Sequence, residues 1–110
     1  MTDVTIEVPS NEQILTSAYA RIKETLVDAV QTYIDAVASS RGYDGILSAC
    51  SYATSKHLPF STEGQACVEY RDEVWIYCYG VLAAVETGTR SVPTPDQLVA
   101  ELPVMTWGVV

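Results

Sequence analysis

Apolar residues recur from position 15 to position 36 at alternating intervals of four and three residues, and this spacing constrains the fold strongly. An α-helix advances 100° per residue, so the spacing keeps these side chains on one side for about three heptads. The stripe consists of Leu15, Tyr19, Ile22, Leu26, Ala29, Tyr33 and Ala36. It predicts one long helix with a coiled-coil-like seam.

The predicted helix spans residues 11–39. Ser10 precedes it in the N-cap position and Gln13 follows at the capping-box spacing. At 1.5 Å per residue such a helix is about 43 Å long, which exceeds the width of a compact domain of this size. Further apolar residues widen the face beyond a two-stranded seam, so a bundle is at least as good an interpretation: Ile14, Val30, Ile34 and Val37. Part of the helix is therefore expected to pack against another chain.

Two shorter stretches follow the long helix. Gly42 ends that helix, and Asp44 is expected to cap a second helix of about three turns over "GILSACSYATS". The segment "KHLPFS" is predicted to be a loop, because the residue before Pro59 is disfavoured in the helical region.

A third and a fourth helix complete the prediction. Ser61 or Thr62 would cap a helix from about Glu63 to Thr87, with Gly88 after its end. The segment "TPDQLVAELP" predicts a short fourth helix, with a threonine N-cap, proline at the first position and a capping-box glutamine.

The second half of the third helix is apolar on nearly every side. Trp75, Tyr79 and Leu82 form a stripe separate from the face that contains Tyr70 and Val74. Buried aromatic residues dominate interface energies, so this stripe is the expected anchor for a partner. The alternative, in which these side chains fill the core of their own chain, stays open at this point.

Both ends of the chain are apolar. Val4, Ile6 and Val8 alternate with polar residues up to Pro9, a pattern typical of a strand-like arm that needs a partner edge or groove. The tail "VMTWGVV" carries no charge and is expected to pack on this domain or on a neighbour. The predicted organisation is an arm at 1–9, a heptad helix at 10–40 and a compact helical domain at 41–110. The predicted fold is a mainly α-helical bundle.

Composition excludes several classes of partner. The 14 acidic and 6 basic residues give a formal charge of −8, which repels nucleic acid and anionic membrane surfaces. The sequence contains neither a leader-like start nor an apolar run of about 18 residues, so a soluble cytosolic protein is expected.

Catalytic and metal-binding patterns are weak. Glu69, Asp72 and Glu73 are interpreted as a solvated helix face, because acid–base catalysis needs carboxylates that face each other in a pocket. His57 is the single histidine. The three cysteines, Cys50, Cys67 and Cys78, form no CxxC pair. Cys67 and Cys78 would lie about 16 Å apart along one helix, so a zinc site could use only Cys50 and Cys78 with His57. No catalytic residue, metal or cofactor is predicted.

The region from Arg41 to Trp107 resembles small proteins from the tail-fibre region of tailed phages and prophages. The helix "EYRDEVWIYCYGVLAAV", a proline-containing turn and the ending "LPVMTW" are similar in layout to the C-terminal part of tail-fibre assembly chaperones. The resemblance covers about two thirds of the chain and is one of pattern. Those chaperones carry an N-terminal domain where this chain has the arm and the heptad helix.

This resemblance implies a non-catalytic protein that binds tail-fibre polypeptide, as an assembly chaperone or as a small structural component of the virion. It implies a location in the host cytoplasm during assembly, with the virion tail as a second location. The heptad seam adds the expectation of a homo-oligomer or a hetero-complex. The residues expected to bind a partner are Leu15, Tyr19, Ile22, Leu26, Tyr33, Trp75, Tyr79, Leu82 and Trp107.

A different class of function is the alternative. A small acidic phage protein could mimic nucleic acid and inhibit a host nucleic-acid-binding or defence protein, and the sign of the net charge permits this. A mimic requires a continuous stripe of carboxylates with phosphate-like spacing. The acidic residues of this chain are instead spread along an apolar sequence.

Overall fold

The computed structural model describes Val8 and residues 10–108. Apart from Val8, the predicted arm at 1–9 lies outside the described residues. The described part of the chain is mainly helical and contains no β-strand. Its helices are α1 (Asn11–Ser39), α2 (Ile46–Ser51), α3 (Leu58–Glu86) and α4 (Pro95–Glu101). The predicted helical bundle with two long helices is confirmed.

Local sequence signals set the ends of α1 and α4. The Ser10 hydroxyl accepts a hydrogen bond from the Gln13 N–H, and the Gln13 side chain accepts one from the Ser10 N–H. Thr94 and Gln97 form the same capping box at α4. Gly42 has a φ of 92°, in the left-handed region that ends a helix, so the sequence prediction holds there too.

The second helix differs from its prediction. It spans only six residues, and the expected cap, Asp44, makes no capping hydrogen bond. Gly45 occupies the N-cap position, and the carboxylate of Asp35 on α1 accepts the hydrogen bond from the Ile46 N–H at 2.9 Å. The cap therefore comes from another helix, which local sequence could not indicate.

The third helix begins five residues earlier than predicted, at Leu58 rather than Glu63. The predicted loop "KHLPFS" was wrong in its last four residues, because Pro59 lies in the first turn, where its missing N–H leaves no helical bond unmade. Ser61 is inside the helix, and its hydroxyl donates to the Leu58 carbonyl oxygen at 3.0 Å. At the other end, Gly88 has a φ of 76° and follows the helix as predicted.

The core lies at one end of α1. Helix α1 packs against α2 and α4, and α2 packs against α3. The buried residues of α1 all lie in its last third. The apolar core comprises Val30, Ile34, Ala38, Ile46, Ala49, Cys67, Tyr70, Val74, Val81, Leu98 and Leu102. The other end of α1 is thus left without buried residues.

Contacts with the carboxylate of Glu63 tie the segment that follows α1 to α3. Arg41 pairs with Glu63 at 2.7 Å, and the Tyr43 hydroxyl donates to the same carboxylate. The guanidinium of Arg41 also lies 4.8 Å from the ring centroid of Trp107, so Trp107 contacts the segment that follows α1. Over the described residues, none of the helices is both long enough and apolar enough to cross a membrane.

Candidate functional site: an apolar groove between the long helices

An apolar groove lies between α1 and α3 and has a volume of about 290 Å³. The two long helices run antiparallel, because Tyr19 near the start of α1 contacts Glu86 at the end of α3, whereas Tyr33 further along α1 lies beside Tyr70, earlier on α3. Since α1 packs mainly against α2 and α4, its side chains do not close the space that faces α3. The lining residues are Tyr19, Ile22, Lys23, Leu26, Val27, Val30, Trp75, Cys78, Tyr79, Val81, Leu82, Val85, Val92, Pro93 and Leu98.

The groove brings together six of the nine residues that the sequence indicated as partner-binding. Tyr19, Ile22 and Leu26 line it from α1. The predicted stripe on α3 supplies the opposite wall: Trp75, Tyr79 and Leu82. The two stripes were identified separately in the sequence, and the fold places them on one surface.

The other three predicted residues lie elsewhere. Leu15 precedes the groove on α1 and is 70% exposed. Tyr33 lines a shallow depression between α1 and α4. Trp107 is half-buried beneath Arg41 and, like Met105, packs against the core of its own domain.

The aromatic residues of α3 differ in how far they are buried. Tyr70 and Val74 belong to the core, and Trp75 is half-buried and packs against that core. The Tyr79 side chain is 71% exposed although it lines the groove. Trp75 is therefore a wall of the groove, whereas Tyr79 is the ring most available to a partner.

Tyr19 links the two long helices. Its hydroxyl donates to Oε1 of Glu86 at 3.2 Å, and burial together with this carboxylate raises the pKa of the Tyr19 hydroxyl. The contact joins α1 to the last residue of α3, so residues 11–18 form an extension of α1 before the contact, and residues 11–17 are exposed. At 1.5 Å per residue this extension is about 12 Å long.

Several lining residues were missed in the sequence analysis. Val92, Pro93 and Leu98 close one end of the groove from the connection between α3 and α4 and from α4 itself. They belong to no periodic apolar pattern that points toward α1. Only the path of the chain after Gly88 brings them there.

A row of rings at the opposite end of the molecule was also missed. Tyr43 and Tyr52 have ring centroids 5.5 Å apart, Tyr52 and Phe60 are 5.4 Å apart, and Phe60 and His57 are 4.4 Å apart. Phe60 lies in α3, whereas Tyr43, Tyr52 and His57 lie outside the helices, so no sequence period could indicate the row.

The cysteines lie in surroundings that suppress reactivity. All three thiols are free, and burial raises the pKa of each, in the case of Cys67 to about 11. A thiol with a raised pKa is a poor nucleophile at neutral pH. Among Val8 and residues 10–108, no group of three histidine, cysteine, aspartate or glutamate side chains is arranged to hold a metal ion. The thiols therefore act as packing groups.

Comparison of the chain with protein-family models, with curated proteins and with solved structures found no match.

Proposed function

We propose that this chain is a non-catalytic phage tail-associated protein that binds tail-fibre polypeptide through the groove between α1 and α3. The observation that carries the proposal is the convergence of two separately predicted apolar stripes on one open surface. The protein would act as an assembly chaperone in the host cytoplasm or as a small component of the virion tail.

The shape and lining of the groove favour a polypeptide ligand. Apolar side chains line the groove from α1 on one side and from α3 on the other. Lys23 is its only charged lining residue among the described residues. Grooves of this kind bind the apolar face of an amphipathic helix, with anchors spaced three or four residues apart. An exposed ring on one wall, that of Tyr79, suits such an anchor.

The assignment to tail fibres is supported by the resemblance over residues 41–107. The tryptophan-centred helix of that resemblance supplies one wall of the groove. Its proline and tryptophan ending forms the segment that packs beneath Arg41. The resembling features are thus distributed between the proposed site and the core that supports it.

The nucleic-acid mimic is less well supported. Four carboxylates have hydrogen-bond partners within the chain: Asp35, Glu63, Glu86 and Glu101. A mimic needs free carboxylates in a continuous stripe, and these four are used to position helices and loops instead. The same chain therefore fits a binding protein with an apolar site better than an acidic decoy.

Co-expression with the neighbouring tail-fibre polypeptide would test the proposal. We expect the fibre to form soluble trimers with this protein and to aggregate without it. Tyr79→Glu should abolish the effect, because it places a charge in the apolar groove. Ile76→Glu is the matched control, since Ile76 is 69% exposed on the same helix but does not line the groove.

The readout is the yield of fibre trimer on a native gel, together with co-purification of the two chains. Fibre trimers that form equally well without this protein, with no co-purification, would overturn the proposal. An equal loss of fibre trimer with Tyr79→Glu and with Ile76→Glu would place the binding surface outside the groove. That result would also overturn the proposal.

A further inference from the structure

We infer that a second copy of this chain occupies the groove, with the start of α1 of each copy lying against the groove of the other. This inference concerns the same surface but does not depend on the assignment to tail fibres. It rests on the extension of α1, on the apolar spacing of α3 and on the local charge.

The start of α1 is an apolar projection. Residues 11–17 are all exposed, and none of residues 11–18 lines the groove. In this stretch Leu15 is 70% exposed and Ile14 is 47% exposed. Leu15 is also the first residue of the heptad seam that continues into the groove through Tyr19 and Ile22. The projecting surface and the groove are therefore parts of one continuous apolar strip.

The opposite wall has the spacing that a heptad helix needs. Trp75, Cys78, Leu82 and Val85 line the groove from α3 and are separated by three, four and three residues. Helices with matching three–four spacing pack side by side at shallow angles. The groove can thus accept side chains from a helix whose residues follow the same interval, and α1 of a second copy is such a helix.

The projection and the groove carry charges of opposite sign, since Glu12 is the only charged residue in 11–18 and Lys23 is the only charged lining residue of the groove among the described residues. The whole chain carries a formal charge of −8, so two copies repel each other in most orientations. Residues 11–27 contain two acidic and two basic side chains, Glu12, Arg21, Lys23 and Glu24. The part of α1 that enters the contact therefore lies in a stretch with no net formal charge.

The geometry gives a closed dimer. Each copy presents both the projection and the groove on the same side, which is the requirement for a two-fold symmetric contact in which the same patch is used twice. The two long helices of each copy would then form a four-helix bundle in the dimer. A tail polypeptide that enters the groove would compete with the second copy.

Size-exclusion chromatography with light scattering on the full chain would test this inference. We expect the wild-type protein at about 100 μM to have twice the 12.0 kDa mass of one chain. Leu15→Glu should weaken the dimer at least ten-fold and give the mass of one chain at the same concentration. Leu47→Glu is the matched control, because Leu47 is 63% exposed on α2, away from the groove, and should leave the dimer intact.

Circular dichroism would verify that Leu15→Glu remains folded, as its exposed position predicts. A wild-type monomer at about 100 μM would overturn the inference, as would equal dissociation with Leu15→Glu and Leu47→Glu. A monomer that still binds fibre through Tyr79 would overturn the dimer and leave the proposed function standing. A wild-type dimer that Leu15→Glu breaks, together with fibre trimers that form equally well without this protein, would support the dimer and oppose the proposed function.

Discussion

The carboxylate of Asp35 on α1 accepts a hydrogen bond from the backbone N–H of Ile46, the first residue of α2, at 2.9 Å. Gly45, the residue before α2, has no side chain that could cap the helix. A Cβ at Gly45 would lie 2.9 Å from the same Asp35 oxygen, so the close approach of the two segments depends on this glycine. A short helix is thus held in place by a side chain from a long one.

Asp35→Ala should lower the free energy of unfolding by about 1 kcal/mol, because it removes the cap of α2. Asp44→Ala should leave stability nearly unchanged, since the Asp44 side chain caps nothing. Urea denaturation of the two variants would measure the difference. Equal destabilisation would contradict the assignment of the cap to Asp35.

Gly64 and Gly80 lie in the same helix but in opposite environments. A Cβ at Gly64 would come within 2.4 Å of the Ala53 backbone nitrogen, whereas a Cβ at Gly80 would meet nothing within 4 Å. Gly64→Ala should therefore destabilise the protein by about 2 kcal/mol or more, because backbone must move to accept the methyl group. Gly80→Ala should stabilise it by about 1 kcal/mol through helix propensity. Thermal unfolding should show melting temperatures that shift in opposite directions.

Tyr70 has a buried hydroxyl without a hydrogen-bond partner. The Tyr33 hydroxyl lies nearby without hydrogen-bond geometry, and burial, aided by this neighbour, raises the pKa of Tyr70 to about 12. Tyr70→Phe should increase the free energy of unfolding by about 1 kcal/mol, because the desolvated hydroxyl is removed and the ring remains.

Tyr77→Phe is the control for this prediction. The Tyr77 hydroxyl donates to Oε1 of Glu101 at 2.6 Å, so its removal should lower stability by about 1 kcal/mol or less. Denaturation midpoints measured side by side would compare the two variants. A Tyr70→Phe protein less stable than wild type would show that its hydroxyl has a partner in solution.

Glu101 gives the fold a dependence on acidic pH. Its hydrogen bonds with Arg90 and then with Tyr77 lower the pKa of the carboxyl from 4.5 to about 2. A lowered folded-state pKa means that the ionised form stabilises the fold above pH 4.5, and this contribution is lost as the pH falls from 4.5 to about 2. Wild type should therefore have a higher melting temperature than Glu101→Gln at pH 7, and the difference should vanish near pH 2.

The control for the pH experiment is Glu69→Gln, which changes an exposed carboxylate on α3. Its melting temperature should differ little from wild type across the same pH range. A difference between wild type and Glu101→Gln that persists unchanged at pH 2 would contradict the stabilising role of the ionised carboxylate.

The sequence predicted the elements whose limits are set within a few residues of chain. The capping boxes at Ser10 and Thr94 act over three residues, and the glycine ends at Gly42 and Gly88 depend on backbone conformation at one position. Such local signals were sufficient for both ends of α1 and for α4. The predicted start of α3 was wrong because a proline has two opposite effects on helices. It disfavours the helical conformation of the residue before it, and it also fits the first turn of a helix. The prediction used the first effect, whereas Pro59 lies in the first turn.

The sequence by itself determined that the chain is helical, that α1 carries a heptad seam and that Trp75, Tyr79 and Leu82 form a stripe of their own. The tertiary structure alone decided that the seam and the stripe face the same groove, that Asp35 caps α2 and that Trp107 packs beneath Arg41. Periodicity reports which side of a helix is apolar because it depends only on rotation per residue. Which apolar sides meet depends on loop paths and on packing between residues far apart in sequence, and no local interval encodes those.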